Sequence, residues 1–268
     1  MSKTKEIWKT VKTIYSVIGR SDLAKDIGKK ITKVDAKYYI SKIKNHFIGK
    51  NFAIIGPTGA GKTTFLNVLK NPNIVIDTGK YHGTEIEEFK SFKAIYKLYL
   101  EDLEEEVKLS FKVTGRYDVG GDFVEQHWPK VLNNADFVVY IASIEQLLAD
   151  DGENYLEGIV KDFEFIFENY QLLTPNARIA IGFNKVDLLC TTKDLNKKIE
   201  ELKPQIEKIQ YSIHEIWGKK SRSISNPIIL SLSDKSLRQR TLDNLFLNFV
   251  DELIKNEKGR NKYQRKAS

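Results

Sequence analysis

Residues 56–63 read Gly-Pro-Thr-Gly-Ala-Gly-Lys-Thr, directly after a short apolar run from Phe52 to Ile55 and at the head of a helix-forming segment from Gly61 to Leu69. No other feature of the chain restricts its fold as much, because G-x-x-x-x-G-K-S/T between a strand and a helix is a phosphate-binding loop. A polyphosphate packed against backbone requires residues without Cβ bulk. Gly56, Gly59 and Gly61 let successive N–H groups turn inward, Pro57, Thr58 and Ala60 fill the turn between them, and the helix N-terminus, where Thr64 follows, adds partial positive charge. Lys62 reaches the β and γ oxygens, and Thr63 offers its hydroxyl to a Mg2+ ion that bridges the same phosphates. This motif implies a nucleoside triphosphate and leaves the base open, since an ATPase would show the same eight residues.

From Asn51 onward, short apolar runs alternate with helical periodicity, the pattern of βα units and a mostly parallel sheet. The predicted strands are Phe52 to Ile55, Ala94 to Leu100, Val107 to Val113, Phe137 to Ala142, Ile179 to Phe183 and Ile228 to Leu230. The acidic stretch EDLEEE, residues 101–106, joins the second and third as an antiparallel hairpin at the sheet edge, where charge also discourages unwanted pairing. Helices are predicted at Gly61 to Leu69, about Phe123 to Leu132, Asn154 to Tyr170, between Asp194 and Gly218 with an interruption near Pro204, and Leu242 to Lys255. In the last of these Leu242, Leu245, Phe246, Phe249, Val250 and Leu253 form one apolar stripe that must pack on the sheet. The expected fold is an α/β, three-layer α/β/α sandwich with a six-stranded sheet. Its 268 residues suit one enlarged domain, 51–254 with a helical insertion at about 191–220, between a basic N-terminal extension (1–50) and a basic disordered tail (255–268).

The strand Ile179 to Phe183 leads into Asn-Lys-Val-Asp, residues 184–187. Ligands of open α/β sheets bind at the carboxyl ends of the strands, so these side chains face a nucleotide. Guanine offers N1–H and its exocyclic amine as adjacent donors; a carboxylate at Asp187 accepts from both, whereas adenine would present an acceptor to it. Asn184 ties this loop to the phosphate loop and approaches N7, and the stem of Lys185 covers one face of the base. Ser231-Leu232-Ser233 follows the last strand, where the Leu232 N–H is placed to donate to guanine O6. Between the two sites lies YDVGG, residues 117–121. Asp118 holds Mg2+ through water and the Gly121 N–H contacts the γ-phosphate, so loss of that phosphate releases the segment. A threonine between the first helix and the second strand completes the Mg2+ shell; Thr84 and Thr78 are both available, Thr84 leaving the shorter path to the strand.

GPTGAGKT, DVGG and NKVD in this order and on these elements resemble the Ras-like P-loop GTPase superfamily, and the DVGG form is nearest to its ADP-ribosylation-factor-like branch. The resemblance covers about 51–254. It implies a G domain that binds GTP and GDP with Mg2+, hydrolyses GTP as a molecular switch, and is read by activating, exchange or effector proteins. In that family a glutamine directly after the glycine of the second motif orients the attacking water; here that position is Asp122. A carboxylate beside the γ-phosphate adds like-charge repulsion, so slow intrinsic hydrolysis is expected, with Lys62 as the catalytic cation and Gln126 or His127 on the next helix as replacements for the missing glutamine. The alternative is a GTP-binding scaffold or membrane-associated assembly module that hydrolyses little.

Charge is unevenly spread. Residues 1–50 carry 13 Lys/Arg against 4 Asp/Glu and residues 255–268 carry 6 against 1, whereas 51–254 carry 24 against 31. The net +7 therefore belongs to the ends, which argues against specific nucleic-acid binding by the domain. Residues 5–18 place Ile7, Trp8, Val11, Ile14, Tyr15 and Ile18 on one face of a helix with Lys5, Lys9 and Lys12 opposite, a pattern that suits either an anionic membrane surface or packing onto the chain's own domain. Cys190 is the only cysteine, and there is no secretory h-region and no apolar run long enough to span a bilayer. The expectation is a cytoplasmic protein, peripheral at a membrane if the N-terminal helix binds one.

Overall fold

The computed structural model describes residues 33–76, 91–100, 105–114, 124–189, 195–225, 227–235, 237–239 and 241–250. Helix α1 (Lys33–Phe47) leads into β1 (Asn51–Ile55), the phosphate loop and α2 (Lys62–Lys70). A long hairpin, β2 (Phe92–Leu100) and β3 (Glu105–Val113), is followed by α3 (Val124–Leu132), β4 (Phe137–Ser143), the short α4 (Ile144–Leu147), α5 (Gly152–Glu168), β5 (Arg178–Asn184), the single turn α6 (Val186–Leu189), α7 (Leu195–Trp217) and β6 (Ile228–Ile229). A last helix, α8, covers 241–250.

The sheet order is β2-β3-β1-β4-β5-β6, with β2 antiparallel to β3 at the edge and every other pairing parallel. This is the expected mostly parallel α/β fold. The hairpin pairs as far as Leu100 opposite Glu105, so two of the acidic residues assigned to the turn belong to the strand. The central strands alternate strictly. Ala53, Ile55, Val138, Tyr140, Ile179 and Ile181 pack under Trp128 of α3, Phe163 of α5 and Ile209 and Trp217 of α7. Phe52, Ile54, Phe137, Val139 and Ile141 face the opposite way, onto α1, α2 and α8. A strand buried on both faces has no polar side, which is why these runs read as continuous apolar segments.

Two helical details differ from expectation or extend it. The helix expected to break near Pro204 runs unbroken from Leu195 to Trp217. Proline removes one backbone donor, but here Ile206, Ile209, Ile213 and Trp217 are buried against α5, and that packing holds the helix through the lost bond. Within the N-terminal extension, α1 is built into the core: Phe47 is fully buried and stacks on Phe52 and Phe137, 5.9 and 5.3 Å between ring centroids, and meets Phe246 of α8 edge-on. The N-terminal helix expected at 5–18 and the tail at 255–268 lie outside the described residues.

Candidate nucleotide site

Parallel registers bring four carboxyl ends to one edge. Ile55 of β1 lies opposite Tyr140 of β4, Ser143 closes β4 opposite Asn184 at the end of β5, and Phe183 lies opposite Ile229 of β6. Since β1 is followed by strands on one side and then on the other, its end is the point where the strand order reverses, where such sheets form a crevice.

The phosphate loop occupies that crevice. At Gly56, φ is +139° and any Cβ would collide with the Ile141 carbonyl of β4; at Gly61, φ is +102° and a Cβ would collide with the Asn184 amide. A side chain at either place would be strained and would clash, so the loop brings its backbone close to the crevice. Among the described residues no side chain caps the N-terminus of α2, and no acidic residue lies in its first turn. An uncapped, positively polarised helix end behind a glycine cradle suits a polyphosphate. Lys62 is buried and its Nζ donates to the Pro57 carbonyl of the same loop at 2.8 Å, which holds the cation across the cradle. Thr63 is half-buried on the first turn, and Thr64 is buried beneath it. Thr58 and Gly59 are exposed at the tip.

The second half of the site is tied to the first. Asn184 is buried as the last residue of β5, and its Nδ2 donates to the Ala60 carbonyl at 3.0 Å, as expected of that residue, while its Oδ1 meets no partner among the described residues. Lys185 then takes φ +72°, which swings the chain into the α6 turn, and its Nζ pairs with Glu145 of α4 at 2.8 Å. Asp187 accepts from the Ser231 hydroxyl at 2.9 Å, which fixes the carboxylate while leaving its second oxygen uncommitted by that bond. Leu232 is fully buried, within reach of the Gly61 position. The structure thus brings together Gly56 to Thr64, Asn184, Lys185, Asp187, Ser231 and Leu232 on one edge. Thr78, Thr84, Asp118, Gly121 and Asp122 lie outside the described residues, and Gln126 is described only by its backbone on α3. Among the described residues no group of three or more His, Cys, Asp or Glu forms a metal cluster.

Other supporting residues had no motif to announce them. The amide of Ser143 donates to the Tyr155 hydroxyl at 2.7 Å, and Ser143 caps α4, which carries Glu145 to Lys185. Beneath them the Tyr140 hydroxyl donates to Asp162 at 2.6 Å; burial pushes the Asp162 carboxyl up to about 6, with the Tyr140 bond and the Lys62 charge opposing. Thr241 and Arg238 hold the loop after β6 from behind: the Ser231 amide donates to Thr241 Oγ1 at 3.2 Å, and Arg238 Nε donates to the Leu232 carbonyl at 2.6 Å. The sequence did carry one signal for Arg238, a lone cation in register with the apolar stripe of Leu242, Leu245 and Phe249 on the final helix.

No curated protein sequence matches the chain. Among solved structures it is similar to the mammalian SRP receptor, at 14% identity over 73% of this chain and 97% of that one with a TM-score of 0.41. It is also similar to Roco2 of Methanosarcina barkeri bound to GDP, at 17% identity over 77% of this chain and 49% of that one with a TM-score of 0.37. A family model described as AAA domain matches residues 46–266, which takes in the sheet, the phosphate loop and the loops after β5 and β6, and the chain therefore belongs to the AAA-domain family of P-loop NTPase-type proteins.

Proposed function

We propose that the protein is a Mg2+-dependent GTP-binding switch, nearest in kind to the ADP-ribosylation-factor-like GTPases, that hydrolyses GTP slowly on its own. The observation that carries this reading is Asp187: its carboxylate is held by Ser231 at 2.9 Å, on a loop anchored to the phosphate cradle through Asn184 and Ala60 at 3.0 Å. The family's description names a domain and leaves the base open. A carboxylate in this place accepts from guanine N1–H and the exocyclic amine and repels the adenine edge.

The cradle of Gly56 to Gly61 binds phosphates, and Lys62 stabilises the charge that develops on the transferred group. Thr63, Asp118 and Thr84 or Thr78 would hold a Mg2+ ion, which when bound would offset the negative charge of the phosphates. Asp118 and Gly121 sit in the DVGG segment that responds to the γ-phosphate. Asp122, in the position of the Ras-like superfamily's glutamine, is the residue that favours slow turnover and keeps the scaffold reading in play. Activating, exchange or effector proteins complete such a cycle. The basic ends suit an anionic membrane surface reached from the cytoplasm.

Affinities for GTP, GDP and ATP with Mg2+, followed by single-turnover hydrolysis with and without cell extract, test the proposal. ATP binding as tight as GTP removes the guanine reading. Rapid turnover by the isolated protein removes the slow switch, and no turnover in either condition leaves the scaffold. Pelleting with anionic liposomes, comparing full-length protein with a version lacking residues 1–20, tests the membrane reading, which identical behaviour would remove.

A further inference from the structure

Arg238 is only 3% exposed, although arginine is seldom buried without a carboxylate bonded to it. Its guanidinium instead donates to four backbone carbonyls. Nε reaches Leu232 at 2.6 Å, Nη2 reaches Ser233 at 3.3 Å, and Nη1 reaches Pro72 at 3.2 Å and Ile74 at 2.8 Å. Two of these acceptors belong to the loop after β6 and two to the turn that leaves α2. That turn is itself firm: the Asn71 amide bonds Asn67, the Ile74 amide bonds Asn71, and the Asn71 side chain accepts from the Asn73 amide at 3.1 Å. Burial disfavours the cation, and the carboxylates of Asp234 and Asp187 nearby support it. A fork of fixed geometry joining two loops that share no strand pairing is a brace, and lysine, with a single point charge, cannot reproduce it.

We propose that Arg238 is a positioning residue for base selection: by clamping the Leu232 and Ser233 carbonyls to the rigid Pro72–Ile74 turn, it fixes the loop whose Leu232 N–H reads guanine O6. The inference rests on the guanine reading above and deepens it. Leu232 is fully buried, and among the described residues its amide meets no hydrogen-bond acceptor, so the loop holds a donor that a ligand oxygen can satisfy. Thr241 of α8 holds the neighbouring Ser231, so Asp187 and Leu232 are set by separate contacts. Loss of the Arg238 clamp therefore damages readout of O6 and spares readout of the N1–H and amine edge.

The test uses full-length protein and displacement of a fluorescent nucleotide by GDP, ADP, IDP and 6-thio-GDP. IDP keeps O6 and loses the exocyclic amine; 6-thio-GDP keeps both donors and replaces O6 with a poor acceptor. Wild type is expected to prefer GDP to 6-thio-GDP by about tenfold, one good hydrogen bond. In Arg238→Met that ratio falls toward one, GDP and IDP weakening together by about tenfold while 6-thio-GDP changes little. Arg238→Lys gives an intermediate ratio and serves in its place if the methionine variant does not fold by circular dichroism. A wild type that does not prefer GDP to ADP overturns the guanine reading itself. A wild type that prefers GDP to ADP, together with Arg238 variants that weaken all guanine-type nucleotides in equal proportion, overturns only the role of Arg238.

Discussion

Gly61 joins the two halves of the site, and replacing it with alanine has a calculable effect. Its φ of +102° is one that alanine adopts at a cost of about 1–2 kcal/mol. The new Cβ would also occupy the place of Asn184 Nδ2, which is buried and bonded to the Ala60 carbonyl at 3.0 Å. Displacing that amide leaves a buried donor and a buried acceptor unpaired, a further cost of about 1–3 kcal/mol. Alanine restricts the unfolded chain and returns about 0.4–1 kcal/mol, so the net loss is roughly 2–4 kcal/mol. For a domain of this size that corresponds to a fall in Tm of roughly 5–15 °C, read by thermal denaturation without nucleotide. Gly158 is the control, since it lies in α5 with nothing within 4 Å of an added Cβ; alanine there is expected to stabilise by about 0.5–1 kcal/mol. A Gly61→Ala protein as stable as wild type, or a Gly158→Ala protein that falls as far, would refute the argument.

Asp187→Asn is expected to replace an acceptor with a donor facing the guanine amine and N1–H, costing about 2–4 kcal/mol, or roughly 30- to 1000-fold in GDP affinity, with XDP binding gained; equal GDP affinity in calorimetry would contradict it. The Asp162 carboxyl is raised from 3.8 to about 6 by burial, so the folded state holds the proton more tightly than the unfolded one and stability falls as pH rises through that window. Asp162→Asn removes the ionisation, and urea denaturation should show a gain approaching about 3 kcal/mol above pH 6 that vanishes near pH 4; a pH-independent difference would count against burial as the cause. Asp122→Gln is expected to raise single-turnover GTP hydrolysis by about tenfold or more by removing like charge near the γ-phosphate, and an unchanged rate would clear Asp122 of that role.

By itself the sequence determined the strands, their order along the chain and the ligand-facing motifs, because each is local. Short continuous apolar runs marked β1 and β4 without reference to partners, and glycines at 56 and 61 with Lys62 and Thr63 announced a phosphate loop from spacing alone. Its limit appeared at Pro204, where local propensity called for a break and burial of Ile206, Ile209 and Trp217 overrode it. Only the tertiary structure decided that Phe47 belongs to the core, that Asn184 holds Ala60 across 124 residues of chain, and that Arg238 braces Leu232 against Pro72 and Ile74. Those contacts join residues far apart in sequence through parallel registers and helix crossings. A single chain of letters records the donors and acceptors but not which of them the fold will bring within 3 Å.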